Sequence, residues 1–109
     1  MHELSITESV VAAVSEHLGD VKVAAVTLEI GRLSGVVADS VRFCFDLCTQ
    51  GTSLEGARLD IIDVPGRAYC RECRADVEIE ESVPLCPCGS ADLEIRSGQQ
   101  LKIMHVEVA

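Results

Sequence analysis

The chain has 109 residues, 48% of them hydrophobic, and its 18 acidic side chains against 9 basic ones set a formal net charge of −9. That length holds about one ordinary domain, with room for a small metal-stapled appendage, and the apolar fraction is too high for global disorder. A pI near 4.6 argues against nucleic acid, whose phosphates need clustered Lys and Arg, and no run reaches the roughly 18 apolar residues that cross a bilayer.

Met1-His2-Glu3-Leu4-Ser5 opens with an acid and no basic region, unlike a secretory leader. A cytoplasmic setting is therefore expected, in which thiols stay reduced and the six cysteines are core residues, metal ligands or redox groups. The first residues also hold a chelating set. The α-amine of Met1, the peptide nitrogen of His2 and its imidazole can close rings around one ion, and Glu3 can add an amide nitrogen or a carboxylate oxygen. Nitrogen-rich planar sets suit Ni²⁺ or Cu²⁺. A plain surface histidine fits the same three residues, and spacing leaves both readings open.

Residues 5–18 are expected to form a helix. Ser5 and Glu8 have capping-box spacing, Val10, Val14 and Leu18 recur at helical period, and Gly19 stands where a left-handed residue closes a helix. His17 falls in the last turn, where positive charge is favourable. Ala24, Val26, Leu28 and Ile30 alternate with polar residues as a half-buried strand does. A second helix is expected over 39–50, ended by Gly51, with Val37, Val41, Cys44 and Cys48 on one face. Cys44 and Cys48, spaced i, i+4, could ligate a metal, but unpaired cysteine on an apolar face more often packs as a small hydrophobe. Strands follow at 58–64, stopped by Pro65 and Gly66, and at 102–109, where His105 falls among alternating residues.

Between those two strands the composition changes. Cys70, Cys73, Cys86 and Cys88 lie among Pro84, Pro87 and Gly89 with little apolar material, so a metal must replace the core. The spacing is C-x2-C, twelve residues, then C-x-C. Zn²⁺ takes four thiolates at tetrahedral corners, and such a closed shell leaves no place for water or substrate. A redox C-x-x-C would need a helix to begin after the pair, whereas Arg74 to Glu80 alternates as a strand. The expected class is α+β, two helices on a three-stranded mixed sheet with an inserted zinc-ribbon-like unit. The expected division is 1–65 plus 100–109 for the first unit and 66–99 for the second.

Met-His-Glu-Leu-Ser-Ile at 1–6, Gly-Arg-Leu-Ser-Gly-Val at 31–36, Val-Pro-Gly-Arg-Ala-Tyr-Cys at 64–70 and Cys-Gly-Ser at 88–90, with the paired cysteines, together resemble the HypA/HybF family. These are hydrogenase nickel-incorporation proteins, and the resemblance spans the whole chain. It implies a nickel metallochaperone for maturation of [NiFe]-hydrogenase, in some organisms also of urease. It further implies a HypB-type GTPase and the hydrogenase large subunit as partners. By resemblance, nickel falls to Met1, His2 and Glu3, with His2 the essential side chain, and structural zinc to Cys70, Cys73, Cys86 and Cys88. Cys86-Pro87-Cys88 departs from the C-P-x-C of many members, which bears on the geometry of the zinc loop.

A non-enzymatic nickel carrier is thus the expectation. A zinc-ribbon adaptor that only binds proteins is its first rival, and a thiol-disulfide enzyme using Cys70 and Cys73 its second.

Overall fold

A computed structural model describes residues 3–80 and 84–109. Its elements run α1 (Glu3–Leu18), β1 (Val23–Gly31), α2 (Ala38–Cys48), β2 (Arg58–Val64), β3 (Gly66–Cys70), β4 (Ala75–Ile79), β5 (Leu93–Ser97) and β6 (Leu101–Val108). They form two three-stranded sheets, β2-β1-β6 and β4-β3-β5. The first is mixed, with β1 parallel to β2 and antiparallel to β6. The second is antiparallel throughout. The molecule is elongated, 52 × 21 × 18 Å.

The first sheet and the two helices make the main core. Val10, Val11 and Val14 of α1, Val26, Leu28 and Ile30 of β1, and Val41 and Phe45 of α2 are buried together with Leu54 and Leu59. The α+β class with its mixed sheet is as expected. The start of the first helix is not. Helix α1 begins at Glu3, so Ser5 lies inside its first turn, where its carbonyl accepts from Ser9 Oγ at 3.0 Å. Helix α2 buries Phe45 beside Val41, while Val37 is exposed at the N-cap and Cys44 is half-buried. The Val37–Cys48 face was thus rotated by about one residue from the buried one, because an aromatic ring has more apolar area to hide than a thiol.

The cysteine-rich segment is also more regular than an inserted loop. It is a sheet of its own, whose centre strand β3 buries Gly66, Ala68 and Cys70. Chain crossings between the sheets converge at three glycines. A methyl group on Gly31 would overlap the Gly98 carbonyl, and one on Gly98 would lie 2.6 Å from Gly66 Cα. Leu33 N–H donates to Gly98 O at 2.7 Å and Arg32 N–H to Val64 O at 2.9 Å, so main chain packs directly on main chain. Arg32 reinforces the junction with ion pairs to Asp63 at 2.9 Å, Glu80 at 3.3 Å and Glu78 at 3.8 Å.

Gly31→Ala should therefore destabilise by about 2–4 kcal/mol, since backbone cannot rotate away from the added methyl. Gly35 has φ +78° but open space around it. Gly35→Ala should cost only the left-handed strain, about 1–2 kcal/mol. Urea unfolding of the two variants measures the difference.

Candidate metal centre

The four cysteines of the second sheet come from two turns. Cys70 ends β3, and Arg74 N–H returns to Cys70 O at 2.7 Å to close the first. Arg74 pays for that closure with φ 58°, the left-handed conformation that a side chain resists. In the second turn Cys86 N–H donates to Ser90 O at 2.9 Å and Gly89 N–H to Cys86 O at 2.8 Å, with Gly89 at φ 93°. Glycine takes this conformation without strain. The shortened Cys86-Pro87-Cys88 pair thus remains compatible with a tight knuckle.

The sulfurs meet between the turns. Cys70 Sγ lies 3.8 Å from Cys88 Sγ, and Cys73 Sγ lies 3.6 Å from Cys86 Sγ. All four fall within 4.8 Å of one another. Ligands about 2.3 Å from a tetrahedral zinc stand about 3.8 Å apart, so the cluster has the dimensions of a four-thiolate site. Arg71 and Asp92 clamp its rim from opposite turns, with Nη1 to Oδ1 at 2.7 Å and Arg71 N–H to Asp92 O at 3.1 Å. Cys70 and Cys86 are buried; Cys73 and Cys88 are exposed.

Without a cation the thiols cannot all ionise. The Cys73 N–H, donating at 3.4 Å, leads in lowering the Cys70 thiol to about 7. Contacts from the sulfurs of Cys88, Cys86 and Cys70 hold the Cys73 proton on. The Cys88 N–H favours a Cys86 thiolate, but burial and neighbouring sulfurs outweigh it and raise that thiol too. Negative charge is therefore favoured on Cys70 and disfavoured on Cys73 and Cys86. A divalent cation at the centre removes the conflict and deprotonates coordinating thiols.

The other candidates lie elsewhere. Met1 and His2 lie outside the described residues. Glu3 is in the first turn of α1, and its Oε2 accepts from Val37 N–H at 3.3 Å. Val37 caps α2 with no side-chain hydrogen bond of its own, so this carboxylate serves a helix end that the local sequence leaves open. Nothing in the spacing of Glu3 and Val37 signalled that contact. On α2, burial chiefly, then Glu8 and Cys44, pushes the Cys48 thiol up, which suits a packed, unreactive group. His17 is exposed in the last turn of α1. His105 faces solvent from β6, with Nε2 3.3 Å from Thr27 Oγ1.

No described helix is long and apolar enough to cross a membrane. A family model described as "Hydrogenase/urease nickel incorporation, metallochaperone, hypA" matches residues 1–108. A hydrogenase maturation factor HypA of a Nostoc species is 50% identical over 108 residues, covering 99% of this chain and 96% of that protein. Another, from Geobacter metallireducens, is 48% identical over 109 residues, 99% of each. The solution structure of the Ni metallochaperone HypA from Helicobacter pylori superposes with a TM-score of 0.67 at 23% identity, covering 99% of this chain and 97% of that one. This last likeness bears on the fold.

Replacing Arg74 by glycine should relieve the left-handed strain of the first turn and stabilise the metal-loaded protein by about 1 kcal/mol. Tyr69, the single tyrosine, adjoins Cys70, and its ring lies 5.4 Å from the Arg96 guanidinium carbon. With no Trp in the chain, thermal melts followed by Tyr69 fluorescence read this sheet directly.

Proposed function

The chain belongs to the HypA family of hydrogenase maturation factors and nickel-incorporation metallochaperones, and on that premise we propose that it carries Ni²⁺ at its N-terminus and keeps structural zinc at Cys70, Cys73, Cys86 and Cys88. The converging sulfur cluster is the observation that carries the division of labour. It saturates a tetrahedral ion with four thiolates and offers no open position, which suits a resident metal and not a transferred one. Zinc supplies there the cohesion that a small core lacks. Residues 66–99 then form the zinc unit, and residues 1–65 with 100–109 the nickel unit.

Nickel, the cargo, falls to Met1, His2 and Glu3. The amine, the His2 peptide nitrogen and the imidazole make the planar, nitrogen-rich part of the set, and the terminus leaves a rim that an acceptor's ligands can enter. Anchoring of Glu3 at the start of α2 supports this reading, because it seats the residue after His2 on the body of the protein. With its carboxylate engaged there, Glu3 contributes to the ion through its main chain. Delivery passes to a HypB-type GTPase and the hydrogenase large subunit, with no catalytic step by this chain, and takes place in the cytoplasm. Urease is the second destination that the family description supports.

Native mass spectrometry of untagged, zinc-loaded protein with one equivalent of nickel tests the proposal. Wild type should bind nickel and His2→Ala should not, with zinc kept in both; equal uptake by the two would remove the terminal chelate and leave the zinc-ribbon adaptor as the better account. Nickel affinity should also rise between about pH 6 and pH 8. The imidazole (about 6.5) and α-amine (about 7.7–8.0) must shed protons to bind, so acid competes with the metal.

Zinc removal by a strong chelator, or Cys73→Ser, should loosen residues 66–99 and change Tyr69 fluorescence. The first sheet, whose core contains no cysteine ligand, should keep its ellipticity. A thiol-disulfide enzyme would instead retain the fold of this sheet when stripped and expose one reactive thiol.

A further inference from the structure

Exposure divides the four sulfurs of the second sheet in the same way in both turns. Cys70 is buried and Cys73 exposed in the first, and Cys86 is buried and Cys88 exposed in the second. Each buried sulfur accepts the N–H of its exposed companion, from Cys73 to Cys70 Sγ at 3.4 Å and from Cys88 to Cys86 Sγ at 3.5 Å. Among the described residues no main-chain N–H reaches the sulfur of Cys73 or Cys88, whose close contacts are with other sulfurs.

Those contacts join unlike members of opposite turns. Exposed Cys73 lies 3.6 Å from buried Cys86, and exposed Cys88 lies 3.8 Å from buried Cys70. The first pair, 13 residues apart in sequence, sits inside the second, 18 residues apart, so both can be bonded at once. Outside both, Arg71 and Asp92 hold the turns together through side chains at 2.7 Å and main chain at 3.1 Å. That clamp contains no sulfur, so it persists whatever happens to the thiols.

We propose that the cluster is a site of reversible oxidation by hydrogen peroxide, at which two nested disulfides, Cys73–Cys86 and Cys70–Cys88, take the place of the metal. The inference rests on the structural-zinc reading above. Only Cys73 and Cys88 are open to an oxidant. The Cys73 sulfur attacks one peroxide oxygen, the O–O bond breaks, and the departing hydroxide takes a proton from solvent, which leaves a sulfenic acid. Cys86 Sγ then attacks the Cys73 sulfur, so that the S–S bond forms, the S–O bond breaks and a second hydroxide leaves. Cys88 and Cys70 repeat both steps with a second peroxide. Four thiolates, two peroxides and four protons thus become two disulfides and four waters, and the ion departs with its charge unchanged.

Position dictates the pairing. Closing 3.6 or 3.8 Å to a bond of about 2.05 Å asks only that the exposed side chains turn inward. A bond within a turn would displace the N–H that the buried sulfur accepts, and it would leave the turns joined by the Arg71–Asp92 clamp alone. Cross-turn bonds close the sheet where zinc closes it.

Hydrogen peroxide titrated to completion into the zinc-loaded full chain tests this, with zinc content measured first. Two equivalents should release all the zinc to a colorimetric indicator and lower the mass of the metal-free chain by about 4 Da, the four thiol hydrogens. Trypsin cuts after Arg71 and so separates Cys70 from Cys73. Fragmentation of the linked peptides should then assign Cys73–Cys86 and Cys70–Cys88, with Cys44 and Cys48 still reduced. Amide hydrogen exchange in β3 and β5 should stay as slow as in the zinc-loaded chain, unlike that of the chelated, reduced chain, and dithiothreitol with zinc should restore thiols and metal. Zinc retained, disulfides within a turn, sulfinic acids, an oxidised sheet as loose as the chelated one, or failure of that recovery would overturn the proposal and leave structural zinc standing. A chain that holds no zinc before oxidation would overturn both.

Discussion

The chain passes between the two sheets at a point where glycine main chain lies hard against its neighbours. Gly31 ends β1, Gly66 begins β3 and Gly98 lies between β5 and β6, and each would clash with a neighbouring main chain if it carried a methyl. At such separation, the Leu33 N–H bond to Gly98 O resists rotation of one sheet on the other. The Arg32 ion pairs add orientation more than energy, because pairs this exposed are worth about 1 kcal/mol or less. Close packing of backbone fixes the sheets where charge alone could not.

Beyond that junction the second sheet has little to hold it. Its strands span five residues each, and its buried side chains are few: Ala68, Cys70, Ile79 and Cys86. Two of those four belong to the thiol cluster. A metal held there would therefore take the place of a core in this part of the chain, whereas the first sheet buries a continuous apolar layer. Arg74 fits the same view. A residue with φ 58° persists only where its surroundings over-determine it, and the first thiol turn supplies that constraint through the Arg74 N–H bond to Cys70 O.

Much of this was legible in the residues. Strand β2 spans residues 58–64, stopped as Pro65 and Gly66 indicate, and Gly19, at φ 62°, ends α1 as its position implies. Cysteine spacing identified the cluster because ligand chemistry acts over two or three residues. The misses are long-range. Ser5 fails as a cap because α1 extends back to Glu3, whose carboxylate is drawn to Val37, 34 residues away. Phe45 was overlooked beside two cysteines because periodicity marks a face but does not weigh ring area against thiol. Strand β5 (Leu93–Ser97) alternates over only five residues, and it forms because β3 is there to pair with it.

The same long-range contacts tie the start of α1 to the junction between the sheets. Glu3 at the start of α1 grips Val37, Val36 and Ala38 border a cleft shared with Arg32, Asp63 and Glu80, and those three groups face the start of the second sheet. The first turn of α1 thus sits one residue from the wall of the inter-sheet junction, although 63 or more residues separate it in sequence from the thiol turns. Glu3 thus fixes main chain at the start of α1 through a carboxylate engaged on α2, a support that any ligand set borne on the preceding residues would inherit.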